Sequence, residues 1–188
     1  DIGVRLRAGG GQEPSVNAVI RAGVLAATQS GWECYGIREG FNGILRPDRY
    51  PQDGVFLLTQ EMVRGIGHLG GTILGTTNHG NPLRFATTMG DGSSQEVDRS
   101  DELIAHLKQL QIDALICIGG DGTLTIANAL HLKGLRVIGV PKTIDNDLDK
   151  TFTTFGFDTA VSFATECVDR LHSTAESHQR VMVVEVMG

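Results

Sequence analysis

Apolar residues along this chain follow two alternating rhythms. Continuous runs such as Ala114-Leu115-Ile116-Cys117-Ile118 and Val137-Ile138-Gly139-Val140 suit strands buried on both faces, and between such runs apolar positions return every three or four residues, as helices laid on a sheet require. Strands are predicted near residues 2–6, 33–37, 72–74, 114–118, 136–140 and 180–186, and helices near 15–29, 59–68, 100–110, 123–132 and 159–174. This alternation predicts an α/β fold: a three-layer sandwich with a mostly parallel sheet, helices on both faces and right-handed crossovers. In the last helix Ala160, Phe163, Ala164, Cys167, Leu171 and Thr174 form one stripe, expected to face the core. Met89-Gly90-Asp91-Gly92-Ser93, between Thr87-Thr88 and Glu96-Val97, carries a hairpin turn signature.

Two polar segments fall at predicted strand ends. The first, Gly119-Gly120-Asp121-Gly122-Thr123, follows the run ending at Ile118 and opens a helix. Its glycines let a ligand approach the backbone, and the helix N-terminus favours an anion, so a phosphate fits there. A carboxylate such as Asp121 belongs beside phosphates mainly when Mg²⁺ lies between them. The second segment, Pro141-Lys142-Thr143-Ile144-Asp145-Asn146-Asp147, places two carboxylates two positions apart. In one division of labour Asp145 accepts the proton of an attacking hydroxyl and Asp147 orients Mg²⁺ or its waters, while Thr143 and Lys142 face the migrating phosphoryl group. Taken singly, the first segment also reads as a tight turn and the second as a solvated loop. Their occurrence at successive strand ends favours a ligand site, since parallel sheets bind ligands at the carboxyl ends of their strands.

With these residues the chain resembles the 6-phosphofructokinase family, and the similarity runs from about Pro14 onward through Asn17-Ala18-Val19-Ile20-Arg21, Gly70-Gly71-Thr72-Ile73-Leu74-Gly75-Thr76 and Gly156-Phe157-Asp158-Thr159-Ala160. The resemblance implies transfer of the γ-phosphoryl group of ATP to the 1-hydroxyl of fructose 6-phosphate, with Mg²⁺, in glycolysis. It makes Asp145 the catalytic base, with Thr143 and Lys142 beside it, and puts Gly11, Gly120, Asp121, Gly122 and Thr123 at the nucleotide. Asp121 and Asp147 fall at metal positions. Thr143, Asp145, Asp147, Arg180, Met187 and Gly188 fall at substrate positions, with Arg180 matching an arginine that reaches the sugar phosphate across a subunit interface. Residues 1–188 are expected to form the nucleotide- and phosphate-binding catalytic lobe, with a second substrate-binding lobe outside them and a homo-oligomer, dimer or tetramer, as the assembly. The isolated lobe is expected to be inactive.

Donor choice turns on two positions. In this family Asp in place of Gly122 blocks the nucleotide and accompanies pyrophosphate use, whereas Gly122 leaves room for ATP. Lys142 resembles the pyrophosphate-type and mixed subfamilies. The combination reads as ATP-dependent and of the mixed subfamily, with pyrophosphate as the alternative donor. Other readings are a relative of NAD or diacylglycerol kinases, which share the Gly-Gly-Asp-Gly-Thr segment, and a non-catalytic binding or regulatory module.

The chain departs from the family pattern near its start and in one loop. Gln12 stands where an aspartate is usual, and Arg5 and Arg7 interrupt what should be an apolar central strand, which suggests partial exposure or a segment foreign to the rest. Asn78 replaces an arginine that touches nucleotide phosphates in simple bacterial enzymes, and the neighbouring His79 reads as a solvated side chain.

Composition narrows the setting. Forty per cent hydrophobic residues suit a globular protein, and a formal net charge of −6 argues against nucleic acid or an acidic membrane surface as partner. Cations for anionic substrates must therefore be local. Cys34, Cys117 and Cys167 are expected as buried free thiols, no apolar run reaches the ~20 residues of a membrane span, and a cytoplasmic setting is expected. His172, Glu176 and His178 read as a solvated helix end, because histidines six apart do not share a helical face.

Overall fold

A computed structural model of the chain describes residues 3–8, of which only the backbone course is given, and 15–77, 79–88, 90 and 92–186. The sheet is six-stranded and built from β1 (Gly3–Ala8), β2 (Glu33–Ile37), β3 (Val55–Leu57), β6 (Ile112–Gly119), β7 (Val137–Thr143) and β8 (Phe155–Gly156), in the order β3-β2-β1-β6-β7-β8. All neighbours are parallel except β3, which runs antiparallel on the β2 edge. The mostly parallel sandwich is as expected.

Helix α1 (Ser15–Gln29) links β1 to β2 on one side of the sheet centre, and α4 (Asp121–Leu132) links β6 to β7 on the other. With right-handed crossovers running in opposite directions, the two helices cover opposite faces. Strand β6 shows why it reads as continuously apolar: Leu115 and Cys117 join one core with α3 (Ser100–Gln109) and α4, while Ile118 joins the other with Val16, Ile20 and Val24 of α1. Between β1 and β6 the strand order reverses, the kind of switch point at which open parallel sheets bind ligands.

The hairpin appears as expected: β4 (Phe85–Thr88) pairs antiparallel with β5 (Ser94–Val97) in a separate ribbon. Two short elements, α2 (Asn42–Leu45) and β8, carry too little periodicity to be read from sequence.

Several expectations are corrected. Residues 72–74 form a turn rather than a strand, because Gly71 and Gly75 take positive φ and the Ile73 N–H donates to the Asn17 side chain at 2.9 Å. Residues 59–68 form turns that end in a short 3-10 helix over Ile66–His68, since Gly65 at φ 74° halts any α-helix. Residues 180–186 form no strand, as no sheet edge among the described residues pairs with them. Helix α5 (Phe157–His178) is longer than expected and buries no residue; Phe163 of its apolar stripe is 67% exposed, because no other layer covers it. Whether Arg5 and Arg7 are exposed lies outside the described side chains, but β1 itself is central and paired on both sides.

Cysteine burial follows from this arrangement. Cys34 and Cys117 are buried as expected, whereas Cys167, on the uncovered α5, is exposed. Burial pushes the Cys34 thiol up to about 11. Its folded value thus exceeds the unfolded one, so its contribution to stability is intact below about pH 9 and is lost as pH rises toward 11. A thiol reagent at pH 8 is expected to label Cys167 at once and Cys34 and Cys117 only after denaturant is added; equal labelling rates for all three would contradict this burial.

Candidate active site

Both polar segments meet at the carboxyl edge of the sheet. Gly119 ends β6 and pairs with Pro141 of β7, so the glycine turn and the Pro141–Asp147 segment lie side by side. The strand extends to Thr143 rather than stopping at 140, and Pro141, Lys142 and Thr143 are therefore its last residues. Beyond Pro141, β7 pairs, among the described residues, only with the two residues of β8.

The glycine turn is shaped by Thr123. A Cβ at Gly119 would sit 2.5 Å from Thr123 Oγ1, so any side chain there would displace Thr123 from the first turn of α4. A Cβ at Gly120 would lie 3.7 Å from the Thr143 Cβ and from the Lys142 carbonyl oxygen. Gly120 is the N-cap of α4 and brings no side chain, which leaves the first-turn N–H groups open to an anion. Next to it, Gly122 faces space left open by the described residues: apart from its chain neighbours and the helix's own backbone, none of their atoms lies within 4 Å of where a Cβ would sit.

On β7, Lys142 and Thr143 point to opposite faces of the sheet. Thr143 turns toward Gly120 and Asp145; its hydroxyl accepts the Asp145 N–H at 3.2 Å and lies 3.3 Å from Asp145 Oδ2. Lys142 is only 4% exposed, and its Cε lies beside Gly156. Gly156, at φ 113°, is where β7 meets α1: a Cβ there would come within 3.2 Å of Ser15 Oγ, 3.3 Å of the Thr143 carbonyl oxygen and 3.6 Å of Lys142 Cε. The lysine thus sits at the same strand end as Asp145 but on the α1 side, where the N-terminus of that helix begins.

Asp121, Asp145 and Asp147 are all exposed at this edge. Among the described residues no group of three or more His, Cys, Asp or Glu gathers to hold a metal by itself. The oxygen donors of Asp121 and Asp147 fit Mg²⁺, which takes one or two carboxylates together with phosphate oxygens and water.

The remaining expected residues lie elsewhere. Arg180 follows α5, whose 22 residues extend about 33 Å from Gly156, and it does not join the others. Gly11, Gln12, Asn78, Met187 and Gly188 fall outside the described residues. His79 is exposed and its N–H donates to Thr77 Oγ1, while His172 and His178 are exposed on α5. Thr154, Asn146, Ser15 and Gly156 surround the site without having been singled out from sequence. Asn146 lay within the Pro141–Asp147 segment and Gly156 within the Gly156-Phe157-Asp158 stretch, but neither was given a role there.

Residues 3–188 match the family model described as phosphofructokinase. The chain belongs to the phosphofructokinase family. An ATP-dependent 6-phosphofructokinase from Chloroflexus aggregans is 50% identical over 95% of this chain and 48% of its own length. A pyrophosphate–fructose 6-phosphate 1-phosphotransferase from Streptomyces coelicolor is 48% identical over 96% of this chain and 48% of its own length. The chain therefore spans about half the length of the curated relatives it matches. In structure it resembles the phosphofructokinase of Saccharomyces cerevisiae, with a TM-score of 0.78 at 29% identity, covering 100% of this chain and 26% of that one. Among the described residues of this phosphofructokinase-family chain, no helix is long and apolar enough to cross a membrane.

Proposed function

We propose that the family-length protein is an ATP-dependent 6-phosphofructokinase, a glycolytic transferase of the cytoplasm. The 1-hydroxyl of fructose 6-phosphate attacks the γ-phosphorus of ATP, its proton passes to Asp145, the bond to the β–γ bridging oxygen breaks, and fructose 1,6-bisphosphate and ADP leave. Thr143 donates to the moving phosphoryl group, and the first-turn N–H groups of α4 take donor phosphate oxygens. Mg²⁺ held by Asp121 and Asp147 would offset charge on the phosphates when bound. Lys142 supplies a fixed positive charge from the α1 side. Arg180, distant from this edge, is read as serving another subunit's sugar-phosphate site in a homo-oligomer, with Gly11, Met187 and Gly188 completing the nucleotide and sugar contacts.

The observation that carries ATP as donor is the open space at Gly122, which admits a group larger than pyrophosphate. Pyrophosphate remains the second reading because of Lys142 and the Streptomyces coelicolor relative. Assay of the family-length enzyme with ATP and pyrophosphate in parallel decides between them. Turnover with pyrophosphate and none with ATP would overturn the reading.

A separate expectation concerns these 188 residues alone. The groups gathered at the strand ends are donor-side and base, with no cluster of cations for the sugar phosphate among them, so the isolated piece should show no measurable kinase activity. Robust turnover by it would place the sugar site within this lobe.

A further inference from the structure

Asp145 is exposed, and its backbone belongs to no strand or helix. Free loop residues sample many backbone states, so a base on an untethered loop would spend much of its time out of reach of a hydroxyl. The structure holds this loop from both sides through one residue. Thr154 is 2% exposed; its hydroxyl donates to the Thr143 carbonyl at 2.8 Å, and its N–H donates to Asn146 Oδ1 at 2.9 Å. The two anchors lie on either side of Asp145.

Local geometry agrees with such a role. Asn146 takes φ 53°, a left-handed conformation that Asn tolerates better than most residues. With the backbone in this conformation the Asn146 side chain accepts from the Thr154 N–H. Between Asn146 and Thr154, the Thr151 hydroxyl donates to the Leu148 carbonyl at 2.7 Å, which closes the intervening loop on itself. Thr154 is in turn fixed by the strand that follows it, since Phe155 and Gly156 pair with Lys142 and Thr143.

We propose that Thr154 and Asn146 form a clasp that sets the position of Asp145, which makes them positioning residues for proton transfer. Neither touches the reacting atoms. The role in transfer rests on Asp145 being the base, whereas the clasp itself is a statement about the loop and is measurable without any substrate.

The test uses the family-length protein and three variants. Thr154→Val keeps the shape of the side chain and removes the hydroxyl donor, Thr154→Ser keeps the donor, and Asn146→Gly keeps the left-handed backbone while removing the acceptor. Hydrogen exchange of the amides of residues 144–147 is expected to quicken about tenfold in Thr154→Val and in Asn146→Gly, with β6 and α4 unchanged and Thr154→Ser like the parent. In turnover, kcat is expected to fall about 10- to 100-fold in the same two variants, with KM for both substrates within about threefold, because a displacement of about 1 Å costs up to about 10² in rate. Parent-like exchange in both variants would overturn the clasp. Faster exchange with parental kcat, or an equal loss in Thr154→Ser, would overturn the positioning role. If the parent phosphorylates no sugar phosphate with either donor, the functional reading fails on its own and the exchange result still judges the clasp. Should Thr154→Val fail to fold, Asn146→Gly decides alone.

Discussion

Replacing Asp145 by alanine in the family-length enzyme is expected to lower kcat by at least about 10²-fold, the range over which a positioned general base contributes to proton transfer. Asp145 is exposed, and its two hydrogen bonds are local ones with Thr143, so the substitution should leave the melting temperature unchanged. Loss of a base acts in the transition state more than in substrate binding. Accordingly kcat and kcat/KM should fall together, with KM nearly constant. Asp145→Asn, which keeps shape but cannot take the proton, should be as slow as Asp145→Ala. Steady-state kinetics at saturating sugar phosphate separates the outcomes: a rate within about threefold of the parent would remove Asp145 from the role of base and turn attention to Asp147.

Much of this site was legible because its signals are local. The run ending at Ile118 had to be a buried strand, Gly119-Gly120 had to turn, and Leu124, Ile126, Ala127 and Leu130 had to lie on a helix; the ladder between β6 and β7 then joined two segments already expected to hold phosphate. What failed lacked such signals or carried misleading ones. The stripe on α5 has the spacing of a core helix, yet spacing reports amphipathicity and cannot say which layer covers it. Residues 72–74 have strand propensity, but a side chain from α1 captured their backbone: Asn17, 2% exposed, accepts from Ile73 and donates to the Leu69 carbonyl. Thr154 was invisible for the same reason as β8. Its importance lies in two hydrogen bonds spanning eight and eleven residues, and no periodicity encodes contacts of that kind.

Gly122→Asp is expected to abolish use of ATP without harming the fold. Position 122 lies in the first turn of α4 and is exposed, and outside its own helix backbone none of the described residues has an atom within 4 Å of the point its Cβ would occupy, so an aspartate there meets no steric resistance from them. A carboxylate in the first turn also suits the helix dipole, by roughly 0.3–1 kcal/mol, and the melting temperature should hold or rise slightly. The same carboxylate stands where the N–H groups of α4 would take donor phosphates. Repulsion between two unit charges about 4 Å apart is about 1 kcal/mol in water and about 4 kcal/mol near a protein surface, which corresponds to a loss between about 5-fold and 10³-fold from charge alone. Filling the open space adds a steric term that acts on the nucleotide and spares the smaller donor. The expected result is a fall of at least about 10² in kcat/KM with ATP, with pyrophosphate turnover, where the parent has any, reduced less because it meets the charge and not the steric term. Parental kinetics with ATP in a folded Gly122→Asp enzyme would mean that the donor does not approach this turn, and the glycine segment would then be a structural bend whose helix end faces water.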